Sequence, residues 1–299
     1  MRGSHRGLCM RIDLLAGATY NPAVMPSPVP TILVFDSGLG GLTVFSEVLK
    51  ARPDARFVYA ADDAAFPYGR LSGEALVARV LAVMERLTEL YDPELVVIAC
   101  NTASTLVLPH LRARFAVPFV GTVPAIKPAA LATRTGHVTV LATPGTVARD
   151  YTRDLVETYA AGCRVNLVGS RRLAALAEAE LAGAPVPDDE LLAELEPCFV
   201  TDGTGRTDVI ALACTHYPLL LSRFQALAPW PVTWIDPAPA IARRVVQLIG
   251  GPVPGHEADE GEALAVFTGG DGITHGLREA LRRKGLPLLA VEEMPLLQG

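Results

Sequence analysis

Short apolar runs alternate with amphipathic stretches along most of the chain. Six such runs, all rich in Val, Ile, Leu or Ala, lie at 31–35, 55–61, 94–99, 137–142, 163–168 and 207–213. Nearly continuous apolar runs of this length are typical of strands that are covered on both faces, as in parallel sheets. The alternation of these runs with helical stretches predicts an α/β fold.

Three stretches have the period of a helix. In 72–90 the apolar residues recur at steps of three and four, and Ser72 is suited to cap the first turn. Residues 240–249 and 277–283 are two further helix candidates. These stretches would supply the helices that cover the predicted sheets.

Two pairs of similar segments indicate an internal duplication. "VVIACNTAS" resembles "VIALACTHY", and "LVFDSGLGG" resembles "VLATPGTVA". Each is a strand followed by a small polar loop that opens a helix. A duplicated unit predicts two similar parallel-sheet domains in a pseudo-two-fold relation, with the active site in the cleft between them. We expect 30–126 plus 238–299 to form the first domain, 127–237 the second, and 1–29 a flexible extension.

Composition and charge narrow the possible functions. The 299 residues are 50% apolar, which is enough for two cores, and 26 basic against 32 acidic residues give a net charge of −6. An acidic chain argues against a direct nucleic-acid surface. No apolar stretch reaches the roughly 18 residues of a membrane helix. The five cysteines are too few and too scattered for a disulfide framework, so we expect a cytoplasmic protein.

Polar loops follow four of the predicted strands. They are Asp36-Ser37, Cys100–Thr102, Thr143–Thr146 and Cys214–His216. Ligands of parallel α/β sheets bind at the carboxyl ends of strands, where helix starts also lower the pKa of a thiol. Most free cysteines are inert core residues, and Cys163 and Cys198 are interpreted in this way. Cys100 and Cys214 are candidates for chemistry because each stands between an apolar strand and a polar helix start.

Several alternatives fit the sequence less well. A zinc site from Cys100, Cys214 and His216 would lack the close ligand pairs of known sites. A dinucleotide loop would need glycine where Thr43 stands, and a tight turn explains the glycines of "FDSGLGG". Pyridoxal phosphate would need a lysine, for which Lys127 is a poor candidate.

Two opposed thiols are better explained by a symmetric proton transfer. A hydrolase built on a cysteine and a histidine would leave the second thiol unused. If one thiolate removes a proton from a carbon atom and the other thiol supplies one to the opposite face, the stereocentre is inverted.

The motifs between residues 31 and 221 resemble those of the bacterial glutamate racemases. They are "FDSGLGGLTV", "FPYG", "ACNTAS", "VPAIKPA", "LATPGTV", "LAEAEL" and "CTHYPLL". The resemblance extends through "IDPAPAIARR" and is strongest to the proteobacterial branch. These enzymes are two-domain α/β proteins that make D-glutamate for peptidoglycan without a cofactor or metal. Thr122 stands where the family more often has valine, which could alter packing near the cleft.

The resemblance also implies the roles of individual residues. The two bases would be Cys100 and Cys214, assisted by Asp36, His216 and Glu178. The substrate-binding residues would be Asp36, Ser37, Pro67, Tyr68, Gly69, Asn101, Thr102, Thr143, Thr146, Thr215 and His216.

Partners follow from the same resemblance. We expect glutamate as the substrate, a UDP-muramoyl-alanine precursor as a possible activator, and a monomer or homodimer that binds neither membrane nor nucleic acid directly. Two other functions stay open: an aspartate racemase on the same fold, and an amino-acid-binding regulator without catalysis.

Overall fold

Two parallel sheets form the framework of the protein. The computed structural model describes residues 11–14, 29–253 and 263–294. The strands in these ranges are β1 Arg11–Leu14, β2 Thr31–Asp36, β3 Arg56–Ala61, β4 Leu95–Ile98, β5 Phe119–Gly121, β6 His137–Ala142, β7 Arg164–Gly169, β8 Thr201–Asp202, β9 Gly205–Arg206, β10 Val209–Ala213, β11 Thr233–Ile235, β12 Leu264–Phe267 and β13 Leu288–Val291. Strands β8 and β9 form a separate small hairpin.

Helices connect most of these strands. They are α1 Leu42–Ala51, α2 Gly73–Tyr91, α3 Asn101–Arg114, α4 Ile126–Ala132, α5 Pro144–Val147, α6 Asp150–Tyr159, α7 Leu173–Leu181, α8 Asp188–Leu195, α9 Leu221–Leu227, α10 Ala238–Ile249 and α11 His275–Arg283. Short 3₁₀ helices lie at Asp63–Ala65, Tyr68–Arg70, Glu196–Cys198 and Tyr217–Leu220. No helix in the described ranges is long and apolar enough to cross a membrane.

Four polar loops follow interior strands of the two sheets. The larger sheet has the order β1-β13-β12-β3-β2-β4-β5, and the smaller sheet has the order β11-β10-β6-β7. Asp36 ends β2 and Cys100 follows its neighbour β4, whereas Cys214 follows β10 and Thr143 follows its neighbour β6. These interior strands are parallel, so each pair of loops leaves its sheet at the same edge.

Both sheets are covered on both faces, which explains the continuous apolar runs. In β2, Ile32 and Val34 pack with α1 and α10, whereas Leu33 and Phe35 pack with α2 and α3. In the smaller sheet, α7, α8 and α9 cover one face and α4 and α6 cover the other. Burial of these side chains on both faces is the main stabilising contribution to each core.

The predicted α/β class, with parallel sheets, is confirmed. All six predicted strands and all three predicted helices are present, and α10 and α11 each begin two residues before the predicted start. The expectation of burial on both faces is wrong for β7, because this strand is at the edge of the smaller sheet and its ends are exposed. The sheets are parallel except where β1 pairs antiparallel with β13.

The predicted domain limits can be compared with the sheets. The strands of the smaller sheet lie within 127–237, and those of the larger sheet lie outside that range. A division at these residues stays our prediction. The predicted flexible extension 1–29 lies outside the described residues, except for Val29 and for β1, which pairs with β13.

The cap of α2 offers a test of local stability. Ser72 accepts a hydrogen bond from the backbone N–H of Ala75 at 3.2 Å, as the sequence predicted. Ser72→Ala should lower the free energy of unfolding by about 1 kcal/mol because one N–H of the first turn loses its partner. Denaturant unfolding would measure this loss. Ser72→Asp keeps a capping oxygen and should stay near the stability of the unchanged protein; an equal loss in both variants would contradict the capping role.

Candidate active site

Two buried thiols come from different sheets. Cys100 occupies the N-cap position of α3, and Cys214 directly follows β10. Each side chain is buried, and the four cysteines in the described ranges are free, whereas Cys9 lies outside them. Each active-site thiol has its own polar neighbour: Ser37 Oγ lies 3.7 Å from Cys100 Sγ, and His216 Nδ1 lies 3.7 Å from Cys214 Sγ.

The environment of Cys100 favours its neutral thiol. Burial raises the pKa of Cys100 well above its usual range, and the negative charges of Asp36 and Cys214 raise it further. The N–H of Ala103 and the hydroxyl of Ser37 oppose this shift only in part. A positive charge brought by a ligand would therefore favour the thiolate.

The Cys214 thiol is connected through His216 to a carboxylate. His216 Nε2 lies 2.8 Å from Oε1 of Glu178, which is on α7. Burial lowers the pKa of His216, but its contacts with Cys214 and Glu178 and the charge of Asp36 hold that pKa well above the ordinary value. The imidazole is therefore positioned to donate a proton towards Cys214.

Asp36 is a fully buried carboxylate between these groups. Its Oδ2 accepts the backbone N–H of Gly41 at 2.8 Å, while Oδ1 has no hydrogen-bond partner in the described part of the chain. Burial raises the pKa of Asp36, although the nearby His216 lowers it again in part. A half-satisfied buried carboxylate of this kind is suited to a cationic ligand group.

Further polar atoms near the thiols also lack partners. Among the described residues, neither side-chain atom of the Asn101 amide nor Oγ1 of Thr122 makes a hydrogen bond, although all three atoms are buried. Thr122 is placed beside the end of β4, because its N–H donates to the carbonyl of Ile98 at 3.1 Å. Buried polar atoms in folded proteins are nearly always paired, so these atoms are suited to bind a polar ligand.

The other predicted binding residues divide into two groups. Thr102 and Thr143 connect loops of the two sheets, since their hydroxyls lie 3.0 Å apart, and Thr146 Oγ1 lies 3.1 Å from that of Thr143. Tyr68 is different: it is buried, and its hydroxyl already donates to Asp62 at 2.6 Å. A ligand would therefore meet this loop through its backbone.

Three more predicted residues lie beside these groups. Pro67 and Gly69 flank Tyr68 in the same loop. Thr215 is buried, and its carbonyl accepts the Thr43 hydroxyl at 3.0 Å across the two sheets.

The structure adds residues that the sequence did not indicate. Asp62 is fully buried and accepts hydrogen bonds from Arg79 and Thr268 as well as Tyr68. The Phe66 ring lies 5.7 Å from the imidazole of His216, measured between centroids. Phe66 is the first residue of the "FPYG" motif, and Asp62 lies four residues before it.

The predicted turn between β2 and α1 is present, since the N–H of Leu42 donates to the carbonyl of Leu39 at 3.2 Å, but close approach of other side chains also requires glycine in the loop 38–41. None of these glycines has a positive φ. They are required because other side chains fill the space of a Cβ atom: a Cβ on Gly40 would lie 2.4 Å from His216 Nδ1, and one on Gly38 would lie 2.2 Å from Glu178 Oε1.

Within the described ranges, no group of three or more His, Cys, Asp or Glu side chains has an arrangement that could hold a metal ion.

Known proteins share this sequence and fold. The model of the Asp/Glu/hydantoin racemase family matches residues 42–245. The glutamate racemase of Agrobacterium fabrum is 56% identical over 241 residues, which cover 80% of this chain and 88% of that protein. That of Rhizobium meliloti is also 56% identical over 241 residues, with 80% and 86% coverage.

Solved structures agree with these relatives. The Escherichia coli glutamate racemase, crystallised with L-glutamate and the activator UDP-MurNAc-ala, superposes with a TM-score of 0.80 at 40% identity, covering 91% of this chain and all of that one. A glutamate racemase isoform from Bacillus anthracis gives a TM-score of 0.72 at 26% identity, with 89% and 98% coverage. The chain therefore belongs to the glutamate racemases of the Asp/Glu/hydantoin racemase family.

Proposed function

We propose that the chain interconverts L- and D-glutamate with Cys100 and Cys214 as the two bases. The observation that carries this proposal is the pairing of two buried thiols from opposite sheets, each with its own polar neighbour. Their mutual influence supports it, because the charge of Cys214 acts on the pKa of Cys100. Asp36, His216 and Glu178 would assist the thiols.

In the proposed reaction the α-carbon of glutamate loses one proton and gains another. A thiolate on one side takes the α-proton, and the electron pair of the broken C–H bond stays on the α-carbon. That carbon then takes a proton from the thiol on the opposite face, which leaves the second cysteine as the thiolate. No electron acceptor is needed, and the product is the other enantiomer.

The weak acidity of the α-proton must be overcome by positioning and electrostatics. We assign the substrate ammonium to Asp36, whose free Oδ1 would accept it. The two carboxylates would meet Asn101, the Ser37 and Thr215 loops, and the threonines 102, 143 and 146. The ammonium would also favour the Cys100 thiolate, since a nearby positive charge lowers the pKa of a thiol.

The three lysines of the chain support chemistry without a Schiff base. Lys50 is exposed and pairs with Glu47 in the last turn of α1, and Lys284 follows the end of α11. The ammonium of Lys127 lies 5.3 Å from the centroid of the exposed Tyr159 ring. Neither of these two lysine contacts involves a thiol.

Deuterium exchange tests this function directly. In D₂O, L-glutamate should give D-glutamate that carries deuterium at the α-carbon, and the reverse reaction should do the same. Chiral chromatography with mass detection measures both products. A binding regulator would leave the α-hydrogen in place.

Aspartate provides the matched substrate. It lacks one methylene, so we expect glutamate to be turned over about 10 to 200 times more efficiently. Turnover of aspartate at the rate of glutamate or faster would contradict the choice of substrate.

We further propose that a UDP-linked muramoyl-alanine activates the enzyme and that its D-glutamate is used for peptidoglycan in the cytoplasm. The support is the activator bound to the Escherichia coli relative. We expect the precursor to raise kcat/KM by about 5 to 150-fold, the usual range of allosteric coupling. Initial rates with and without the precursor measure this, with UDP alone as the control. Full turnover by the purified protein without precursor would overturn the proposal.

A further inference from the structure

Two backbone N–H groups in the loop that follows β2 of the larger sheet contact His216 and Glu178, the side chains next to Cys214. The loop 37–41 follows β2 of the larger sheet, whereas Glu178 and His216 belong to elements that follow strands of the smaller sheet. Leu39 N–H donates to Glu178 Oε1 at 2.8 Å, and Gly40 N–H donates to His216 Nε2 at 3.2 Å. The proton state of His216 is thus linked to the docking of the two sheets.

Close approach, rather than backbone conformation, requires glycine in this loop. A methyl group at position 40 would overlap the imidazole ring, and one at position 38 would overlap the Glu178 carboxylate. The glycines therefore allow the loop backbone to reach both side chains. This contact is specific, because each N–H has a defined acceptor.

His216 Nε2 has two neighbours that require different forms of the ring. The carboxylate of Glu178, at 2.8 Å, requires a proton on Nε2, whereas the Gly40 N–H requires a lone pair on the same atom. One nitrogen cannot satisfy both partners at once. In the neutral form with its only proton on Nε2, that N–H would point at the N–H of Gly40. Nδ1, the nitrogen that faces Cys214, would then carry no proton.

We infer that the N–H group of Gly40 is a positioning group that keeps a proton on Nδ1 of His216, the nitrogen that faces Cys214. The Gly40 N–H disfavours the neutral form protonated at Nε2, whereas the Leu39 N–H holds in place the Glu178 side chain, which competes for the same nitrogen. This inference rests on the proposed role of Cys214 as one of the two bases. Docking of the two sheets then stabilises the Cys214 thiolate through an N–H donor.

The groups that face His216 are consistent with this role. They are the thiol of Cys214, the carboxylates of Glu178 and Asp36, the ring of Phe66 and the loop backbone. All three titratable neighbours become negative when they ionise, and each therefore favours a protonated ring. The Gly40 N–H is the only backbone donor in this set, and it selects which nitrogen stays protonated in the neutral ring.

Two alanine substitutions should shift the proton on His216 in opposite directions. Gly40→Ala displaces the ring from the Gly40 N–H, so the fraction of neutral ring protonated at Nε2 should rise. A Cβ at position 38 would lie 2.2 Å from Glu178 Oε1 and 3.0 Å from the Phe66 ring, so Gly38→Ala should displace the carboxylate and favour the ring protonated at Nδ1. ¹⁵N NMR of histidine-labelled protein reports both nitrogens, and among the six histidines the signal of His216 is assigned from its loss in His216→Gln.

Thiol reactivity gives a second readout. Alkylation of the Cys214 peptide by iodoacetamide is measured by mass spectrometry at a series of pH values. In Gly40→Ala the midpoint of this pH dependence should rise by about one pH unit, which corresponds to a tenfold loss of thiolate at a given pH. The Cys100 peptide should move much less. Gly162→Ala is the control, because a Cβ there meets no atom within 4 Å, and it should change neither readout.

The outcomes separate this inference from the proposed function. Shifts of the His216 proton in the same direction in both variants, or an unchanged Cys214 midpoint in Gly40→Ala, would overturn it even if racemisation falls. Neither readout needs turnover. Failure of the two-base reaction would therefore appear in the cysteine variants instead.

Discussion

Replacing Cys100 or Cys214 with serine should lower the rate of racemisation by roughly 10²–10⁴-fold, the range expected for loss of a general acid or base. A serine hydroxyl has almost the size of a thiol but is a far weaker acid, so its ionised form is hardly populated. Both directions should fall together, because each thiol acts as base in one direction and as acid in the other. Production of D- and L-glutamate by chiral chromatography measures the loss.

The two serine variants should differ in a second property. Each keeps one functional thiol, which can still remove the α-proton of the enantiomer that faces it and return a deuteron to the same face. For both Cys100→Ser and Cys214→Ser we therefore expect slow deuterium exchange at the α-carbon without inversion. The enantiomer that takes up deuterium should be different in the two variants. Exchange into the same enantiomer in both variants would contradict opposed thiols.

A control for general thiol effects is available in the same chain. Cys163 is partly buried against α4 and α6 in the core of the smaller sheet and is not part of the proposed site. Cys163→Ser should keep the rate of the unchanged protein. If Cys100→Ser or Cys214→Ser also kept that rate in both directions, the two-base reaction would be wrong.

The framework of this site could be predicted from the sequence for a physical reason. The strands β2, β4 and β10 are buried on both faces, so their sequences are continuously apolar and their ends are marked by the first polar residue. In a parallel sheet those ends share an edge. The positions of Asp36, Cys100 and Cys214 at the cleft follow from these two facts.

Four short strands gave weaker signals. β5 and β11 have only three residues each, and β12 and β13 have four. Runs of this length are too short to show a period and compete with helix or loop interpretations. The larger sheet was therefore predicted with too few strands, although β2, β3 and β4 were predicted correctly.

Contacts between the sheets could not be predicted at all. Gly40 and His216 are 176 residues apart in sequence and meet only because the two sheets dock. The same is true of Leu39 and Glu178, which are 139 residues apart. A glycine needed for close approach and a glycine needed for a turn look identical in one sequence, and for this reason the sequence indicated the turn of the loop 38–41 but not its close approach to His216 and Glu178.

Asparagine in place of Asp36 should make activity and stability change in opposite directions. Burial raises the pKa of Asp36 above its ordinary value of 3.8. The folded protein then keeps a proton that the unfolded chain releases, so the free energy of unfolding falls as pH rises from about 3.8 through the folded pKa. Asp36→Asn removes this titration. Over that pH interval the variant should therefore lose less stability than the unchanged protein, by about 1.4 kcal/mol if the folded and unfolded pKa values differ by one unit.

Denaturant unfolding at several pH values measures the stability, and Asp236→Asn is the matched control. Burial also raises the pKa of Asp236, whose Oδ1 accepts the N–H of Ala238 at the start of α10. We expect Asp236→Asn to flatten the stability curve in the same way and to keep its racemase activity. A steeper loss of stability with pH in Asp36→Asn would contradict a raised pKa at that site.

The activity of Asp36→Asn should fall by about 10²–10³-fold, since a preorganised charged partner of the substrate is lost. Asp36 also raises the pKa of Cys100 through its charge, so the substitution should move the alkylation midpoint of Cys100 to lower pH. A more easily ionised thiol combined with slower catalysis would show that the carboxylate acts on the substrate. If activity fell while the Cys100 midpoint stayed unchanged, the charge of Asp36 would not reach that thiol, and the predicted effect of Asp36 on the pKa of Cys100 would be wrong.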